Sequence, residues 1–214
     1  MSVLKEGYPF IIPSYSAGLA LAAAVYFSSL PPVIEIIFIV IGALLIVFAF
    51  FCVFFFRDPE IIITQEKGAI LSPCNGTVME VTEESGEKVI RVFLSVFSVH
   101  LQRSPVSGTV VSVTHKNGKF LAAWDKRAHA ENEQNVFSIQ SPDGVFTVRQ
   151  IAGLVARRCV SWVKSGDVLE AGDKIGMIKF SSQVDLHVPL KTEVFVKPGE
   201  KTRAGITILA RHTG

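Results

Sequence analysis

From Phe10 to Phe56 the chain carries a single charge, Glu35. A membrane-crossing helix needs about 20 apolar residues, and Ile11–Leu30 and Ile36–Phe56 each supply that length. Pro31-Pro32 divides them, since proline inside a helix removes a hydrogen bond and clashes with the preceding turn. The reading is two antiparallel transmembrane helices, about residues 11–30 and 36–56, joined by a very short polar turn holding Glu35. Pro13, Ser14, Ser16 and Gly18 dilute the first helix. A cleaved signal peptide fits poorly, because the apolar stretch is too long and a second span follows. Lys5 precedes the first helix, Arg57 and Lys67 follow the second, and the turn between has no cation. The positive-inside rule then puts both ends in the cytoplasm. Arg57-Asp58-Pro59 closes the span with a charge pair and a helix-ending proline. Residues 1–58 thus read as a membrane anchor, and 59–214 as a domain on the cytoplasmic face of the cell membrane.

Hydrophobic residues make up 49% of the 214-residue chain, with a mean hydropathy of +0.42. The excess lies before Arg57. A net charge of +2 gives no broad nucleic-acid-binding signature. Cys52, Cys74 and Cys159 are an odd, scattered set without a CxxC, which fits a reducing compartment better than a disulfide framework. His115, His129, His187 and His212 show no metal-ligand spacing, so no metal is expected.

After Pro59 the pattern changes to short apolar runs separated by glycine-containing turns. They are Ala69–Ser72, Thr77–Val81, Val89–Leu94, Thr109–Val113, Val136–Ile139, Phe146–Ile151, Val160–Val163 and Ile175–Phe180. That spacing predicts a mainly β domain, with one helical candidate at Phe120–Glu133. Two segments of form V-K-x-G-[DE] followed by [AR]-G-x-x-I, starting at Val163 and Val196, echo each other. So do two S-P-x-x-G-T-V turns, Ser72–Val78 and Ser104–Val110. Repeated strand–turn–strand units suit a compact β-sandwich or barrel-like hybrid of the lipoyl- and biotinyl-domain kind. The lysine of those domains is not evident here, so their chemistry does not come with the fold.

Candidate chemistry begins at Phe180-Ser181-Ser182-Gln183-Val184-Asp185. Two serines at the end of an apolar run can be a turn. They can also place a nucleophile beside its own backbone. Attack of Ser182 Oγ on the Ser181 carbonyl turns the amide into an ester, and elimination then cuts the chain and leaves a pyruvoyl group on the new N-terminus. His100, between an apolar run and the Ser104-Pro105 turn, is structural or an acid–base group. Glu131-Asn132-Glu133-Gln134-Asn135 is a solvated loop or part of a site. Arg157-Arg158 is a solvated pair or a phosphate contact.

Taken in order, several blocks resemble the phosphatidylserine decarboxylase proenzymes of the short bacterial and archaeal type. These are Phe56-Arg57-Asp58-Pro59-Glu60, the histidine motif from Phe97 through His100 to Gly108, the block Glu131–Asn135, Gln150-Ile151-Ala152-Gly153 running to Arg157-Arg158, and the cleavage motif Phe180–Asp185. The resemblance spans nearly the whole chain. It implies self-cleavage between Ser181 and Ser182 into chains 1–181 and 182–214, a pyruvoyl cofactor made from Ser182, and no metal. It also implies His100 as the base of self-cleavage and proton carrier of turnover. Substrate contacts would come from Arg157, Arg158, Glu131 and Asn135. The substrate would be phosphatidylserine in a phospholipid membrane, converted to phosphatidylethanolamine and CO₂. A homo-oligomer is left open.

The sequence departs from the family at three positions. Ser181 stands where glycine usually precedes the cleaved serine, and Gln183 where arginine is common. Asn75 replaces the aspartate that orients the histidine. An amide oxygen can accept a hydrogen bond from His100 but carries no charge to stabilise an imidazolium; Asp185 is the nearest carboxylate that could substitute. A second reading is therefore an uncleaved, membrane-tethered β domain that binds lipid headgroups or a partner. A third is a pyruvoyl enzyme with another amine-bearing substrate.

Overall fold

The computed structural model describes residues 1–27, 29–121, 127–153, 158–179 and 182–212, with the backbone alone at Ser182. The chain divides into two compact units, Met1–Glu60 and Ile61–Gly214.

The first unit runs through strand β1 (Ser2–Val3), a 3₁₀ turn at Lys5–Gly7, helices α1 (Tyr8–Phe27) and α2 (Pro32–Phe55), and strand β2 (Arg57–Asp58). Both helices are long and apolar enough to cross a membrane, and both begin earlier than the apolar runs suggest. Pro9 sits in the first turn of α1 and Pro32 opens α2, positions where the missing N–H would be unpaired anyway. The proline pair therefore starts a helix as well as ending one. Glu35 falls in the first turn of α2, not in the connecting turn, and there it faces the positive end of the helix dipole. The helices approach at Gly18 and Gly42, where a Cβ on Gly18 would meet Ile46 Cγ1 at 2.7 Å and Gly42 O at 3.0 Å. Arg57 closes α2 by donating to Phe54 O at 2.7 Å and lying 3.9 Å over the Phe54 ring. β1 pairs antiparallel with β2, Ser2 opposite Asp58, so the two ends of the hairpin lie together.

The regular elements described in the second unit are strands apart from one short helix. Its elements are β3 (Ala69–Leu71), β4 (Gly76–Glu84), β5 (Glu87–Leu94), β6 (Leu101–Arg103), β7 (Gly108–Lys116), α3 (Ala128–Glu131), β8 (Gln134–Ser141) and β9 (Gly144–Ala152). They continue with β10 (Arg158–Ser161), β11 (Val168–Leu169), β12 (Lys174–Lys179), β13 (Ser182–Pro189), β14 (Thr192–Val194), β15 (Lys201–Thr202) and β16 (Ile208–His212). An eight-stranded sheet in the order β11-β7-β8-β9-β13-β5-β4-β15 is accompanied by two three-stranded sheets, β10-β12-β6 and β14-β16-β3. The large sheet curls as a half-barrel. Of the helical candidate Phe120–Glu133, α3 covers four of the described residues; residues 122–126 lie outside the described residues. What fixes the α3 end is a clamp, not an apolar face: Asn132 Nδ2 donates to Leu121 O at 2.8 Å and to Ala152 O at 2.7 Å.

The sequence echoes correspond to a pseudo-two-fold. Leu71 N donates to Pro105 O at 2.9 Å, and Arg103 N to Pro73 O at 2.8 Å, so the two S-P turns clasp reciprocally. β15 pairs with Gly76 and Thr77 at the start of β4 as β11 pairs with Gly108 and Thr109 at the start of β7. Each V-K-x-G turn has its glycine in the left-handed region, φ 93° at both Gly166 and Gly199, which a Cβ would oppose.

Candidate active site

Between Lys179 and Ser182 the chain passes from the small sheet to the large one. Upstream, β12 is held on both sides, by β10 with Arg158 opposite Lys179 and by β6. Downstream, Ser182 opens β13, which lies between β5 and β9 in the middle of the large sheet. Its backbone sits opposite Leu94 on one side and Ala152 on the other. Both flanks of the 181–182 peptide are therefore fixed independently of the peptide itself. Phe180 and Ser181 lie outside the described residues.

His100 immediately precedes β6 and is 1% exposed. Its backbone carbonyl accepts from Ile178 N at 3.1 Å, which puts the histidine beside the last residues of β12. Its Nδ1 lies 3.0 Å from Ser98 O. A carbonyl only accepts, so the proton of the neutral ring sits on Nδ1 and the lone pair on Nε2. That tautomer suits a general base working through Nε2.

Asn75 lies in the first S-P turn. Its Oδ1 accepts from Ala204 N at 3.1 Å. The pseudo-symmetric turn repeats this bond with Ser107 Oγ, which accepts from Ala171 N at 2.9 Å. Asn75 thus ties one S-P turn to the opposing V-K-x-G segment. Next to it a Cβ on Gly76 would meet Phe93 O at 2.3 Å, so only glycine lets β4 lie against β5 here.

The Glu131–Asn135 block borders Ala152, the neighbour of Ser182. Glu131 reaches Lys119 at 2.7 Å. Glu133 Oε1 accepts from Cys159 N at 3.2 Å. Burial, with the Glu133 charge adding to it, pushes the Cys159 thiol up to about 12, so it stays protonated near neutrality. Asn135 Nδ2 donates to Gln150 Oε1 at 3.0 Å. Arg158 is exposed, and Arg157 lies outside the described residues. Sequence reasoning quoted Asn132, Gln102 and Gln150 only inside larger blocks and gave none of them a role of its own. The signal for all three is burial of amides in strand or near-strand positions, which composition does not reveal.

Asp185 is 1% exposed and stands across from Arg91. It accepts from Gln183 Nε2 at 2.6 Å and from Arg91 Nε at 3.4 Å. Arg91 is shared with Glu80 and Glu84, each at 2.6 Å. Burial pushes the Asp185 carboxyl above the usual carboxylate range, against the opposing pull of Gln183 and Arg91. The Arg91 hydrogen bond holds Glu84 below that range. The two partners of Arg91 differ because Glu84 is at the rim and Asp185 inside. Asp185 is therefore bound into a buried charge cluster on the face of β13 opposite the apolar core. Among the described residues no group of three or more His, Cys, Asp or Glu side chains could hold a metal ion.

Comparison with known proteins gives one consistent result. The model of the phosphatidylserine decarboxylase family matches residues 48–210. A phosphatidylserine decarboxylase proenzyme of Magnetococcus marinus is 36% identical over 220 residues, covering 99% of this chain and 96% of its own length. That of Carboxydothermus hydrogenoformans is 42% identical over 182 residues, covering 81% and 85%. That of Geobacter sp. (strain M21) is 40% identical over 214 residues, covering 97% and 95%.

Proposed function

The chain belongs to the phosphatidylserine decarboxylase family, and from that premise we propose that it is made as a proenzyme, cuts itself before Ser182, and converts phosphatidylserine to phosphatidylethanolamine and CO₂. The observation that carries the reading is the family match over nearly the whole chain together with the address of Ser182. That residue begins a strand anchored on both sides, directly after a strand anchored on both sides.

Ser182 Oγ attacks the Ser181 carbonyl carbon while a base takes the hydroxyl proton, and the C–N bond of the peptide breaks as the ester forms. His100 suits the base, with Nδ1–H directed to Ser98 O and the ring lone pair on Nε2. Elimination releases Ser181 as a carboxylate; water then replaces the α-nitrogen of residue 182, which leaves as ammonia. The pyruvoyl group so made supplies an electrophilic carbonyl that takes up the electrons released when CO₂ leaves an amino acid headgroup. Residue 182, converted to this group, would be held in place by the rest of its strand, residues 183–189 paired with β5 and 183–187 with β9. His100, on the other side of the break, can return a proton to the carbon that has lost CO₂. Asn75, whose Oδ1 accepts from Ala204 N, is proposed to orient His100 in the aspartate's stead, and Arg157, Arg158, Glu131 and Asn135 are proposed to serve the headgroup.

Residues 1–58 serve as the membrane anchor in this reading, with the two helices holding the catalytic domain, from residue 59 on, at the surface where its lipid substrate resides. Lys5 and Arg57, at the two paired ends of the helical hairpin, put that surface on the cytoplasmic side by the positive-inside rule. The test is purification of wild type and Ser182→Ala from the same membranes. Wild type should run as two chains, release CO₂ from serine phospholipid and react with hydrazine. Ser182→Ala should run as one chain and do neither. A cut that persists in Ser182→Ala puts the processing site elsewhere.

A further inference from the structure

A chain of buried amides links the two halves of this site. His100 O accepts from Gln102 Nε2 at 2.8 Å. Gln102 Oε1 accepts from Gln150 Nε2 at 2.8 Å, and Gln150 Oε1 accepts from Asn135 Nδ2 at 3.0 Å. Asn135 Oδ1 then faces His115 Nδ1 at 2.8 Å, on the exposed edge of β7. A backbone carbonyl only accepts, and this one fact orients every amide in the series. Gln102 must turn its nitrogen to His100, so its oxygen faces Gln150, and the same logic passes to Asn135. Gln102 and Gln150 are both 0% exposed, and Gln150 Nε2 also reaches Val160 O at 3.3 Å. The path exists because residue 176 is glycine: a Cβ there would lie 2.8 Å from Gln150 Nε2 and 2.1 Å from Val160 O.

The two ends of the Gln102–Gln150 bond are telling. Gln102 belongs to β6, the strand His100 leads into. Gln150 belongs to β9, two residues before Ala152, the residue opposite Ser182. We infer that Gln102 and Gln150 are positioning residues that set His100 relative to Ser182 by bolting the small sheet to the large one across the cut. The inference rests on the reading of Ser182 and His100 given above. Displacement of a reacting group by about 1 Å costs on the order of 100-fold in rate, and this bond is the side-chain tie aimed at His100 from the strand beside Ser182.

Gln102→Glu tests it in the full chain in detergent micelles. The ionised carboxylate still accepts from Gln150 Nε2 but cannot donate to His100 O. A carboxyl so buried binds its proton more tightly than usual, so acidification restores the donor. The expected result is a CO₂-release kcat at least about tenfold below wild type at pH 8 with KM unchanged, the ratio to wild type closing towards pH 6. The core variant Ile139→Val, read alongside for its own loss of Tm, should leave kcat unchanged at both pH values. A Gln102→Glu ratio that is flat with pH, or a kcat within about twofold of wild type, overturns the inference. Histidine-selective NMR decides independently of chemistry. In Ser182→Ala protein the His100 ring signals should move when Gln102→Glu is added at pH 8 and return by pH 6; unmoved signals overturn the inference. Wild type that neither cuts nor releases CO₂ sinks the decarboxylase reading alone, and the NMR result still stands for or against the positioning.

Discussion

At the scale of single residues, Asp185 gives the sharpest pH prediction. Its carboxyl sits above the usual range because burial outweighs Gln183 and Arg91. A group that binds its proton more tightly when folded loses stability as pH rises from the ordinary Asp value through the raised folded one. Asp185→Asn removes that loss, and Arg91 keeps Glu80 and Glu84. Urea unfolding should therefore give the variant a stability advantage that grows with pH across that window and is constant below it. An advantage that shrinks as pH rises would contradict the assignment. Asn75 makes a different case. Asn75→Ala loses the bond to Ala204 N and should cost about 1 kcal/mol, whereas Asn75→Asp keeps the acceptor and should stay close to wild type in Tm. Faster processing in Asn75→Asp would give the position a part in orienting His100 beyond its turn. The substitution itself was legible in the sequence. Its structural work was not, because that depends on the pseudo-two-fold partner bond of Ser107, a relation that appears only once both turns are folded.

At the scale of elements, the cut is held by strands that the sequence reveals unequally. Each of the eight apolar runs overlaps a strand, though Ser72, Trp162 and Val163 lie beyond the strand ends and Phe180 lies outside the described residues. β13 carries no such run. Val184, Leu186 and Val188 alternate with Gln183, Asp185 and His187, the pattern of a half-exposed strand, yet all six are buried. Its second face is covered by charges and amides instead of apolar side chains, so the central strand of the large sheet resembles an edge. Leu186→Ala should cost about 2–5 kcal/mol, read as a drop in the urea midpoint; a cost under about 1 kcal/mol would mean that β13 is not central. Gly176→Ala should break the β10–β12 pairing, since the new Cβ falls 2.1 Å from Val160 O; wild-type Tm and processing in that variant would contradict the path drawn for Gln150. In the first unit, α2 starts at Pro32 because the second of two helix-breaking residues is also a good first residue, a distinction that hydropathy does not draw.

At the scale of the whole molecule, the proposed cut before Ser182 would divide a single interleaved set of strands. Of the two proposed products, the shorter, 182–214, would supply β13 to the centre of the large sheet, β15 to its edge and β14 and β16 to a small sheet. The two products should co-purify in non-denaturing detergent and separate only in denaturant; free dissociation on dilution would mean that the strands from residue 182 onward are not interleaved as described. The family was legible in the sequence because its blocks occur in order. The proposed placing of His100 relative to Ser182 was not, since Gln102 and Gln150 are ordinary residues until they are buried. The most direct measurement is the intact mass of purified, unmodified protein from its native membranes. The account predicts two masses, residues 1–181 and residues 182–214, the second lighter than its unmodified sequence by one ammonia. A single mass for the uncut 214-residue chain, in protein that releases no CO₂ from phosphatidylserine, would contradict it.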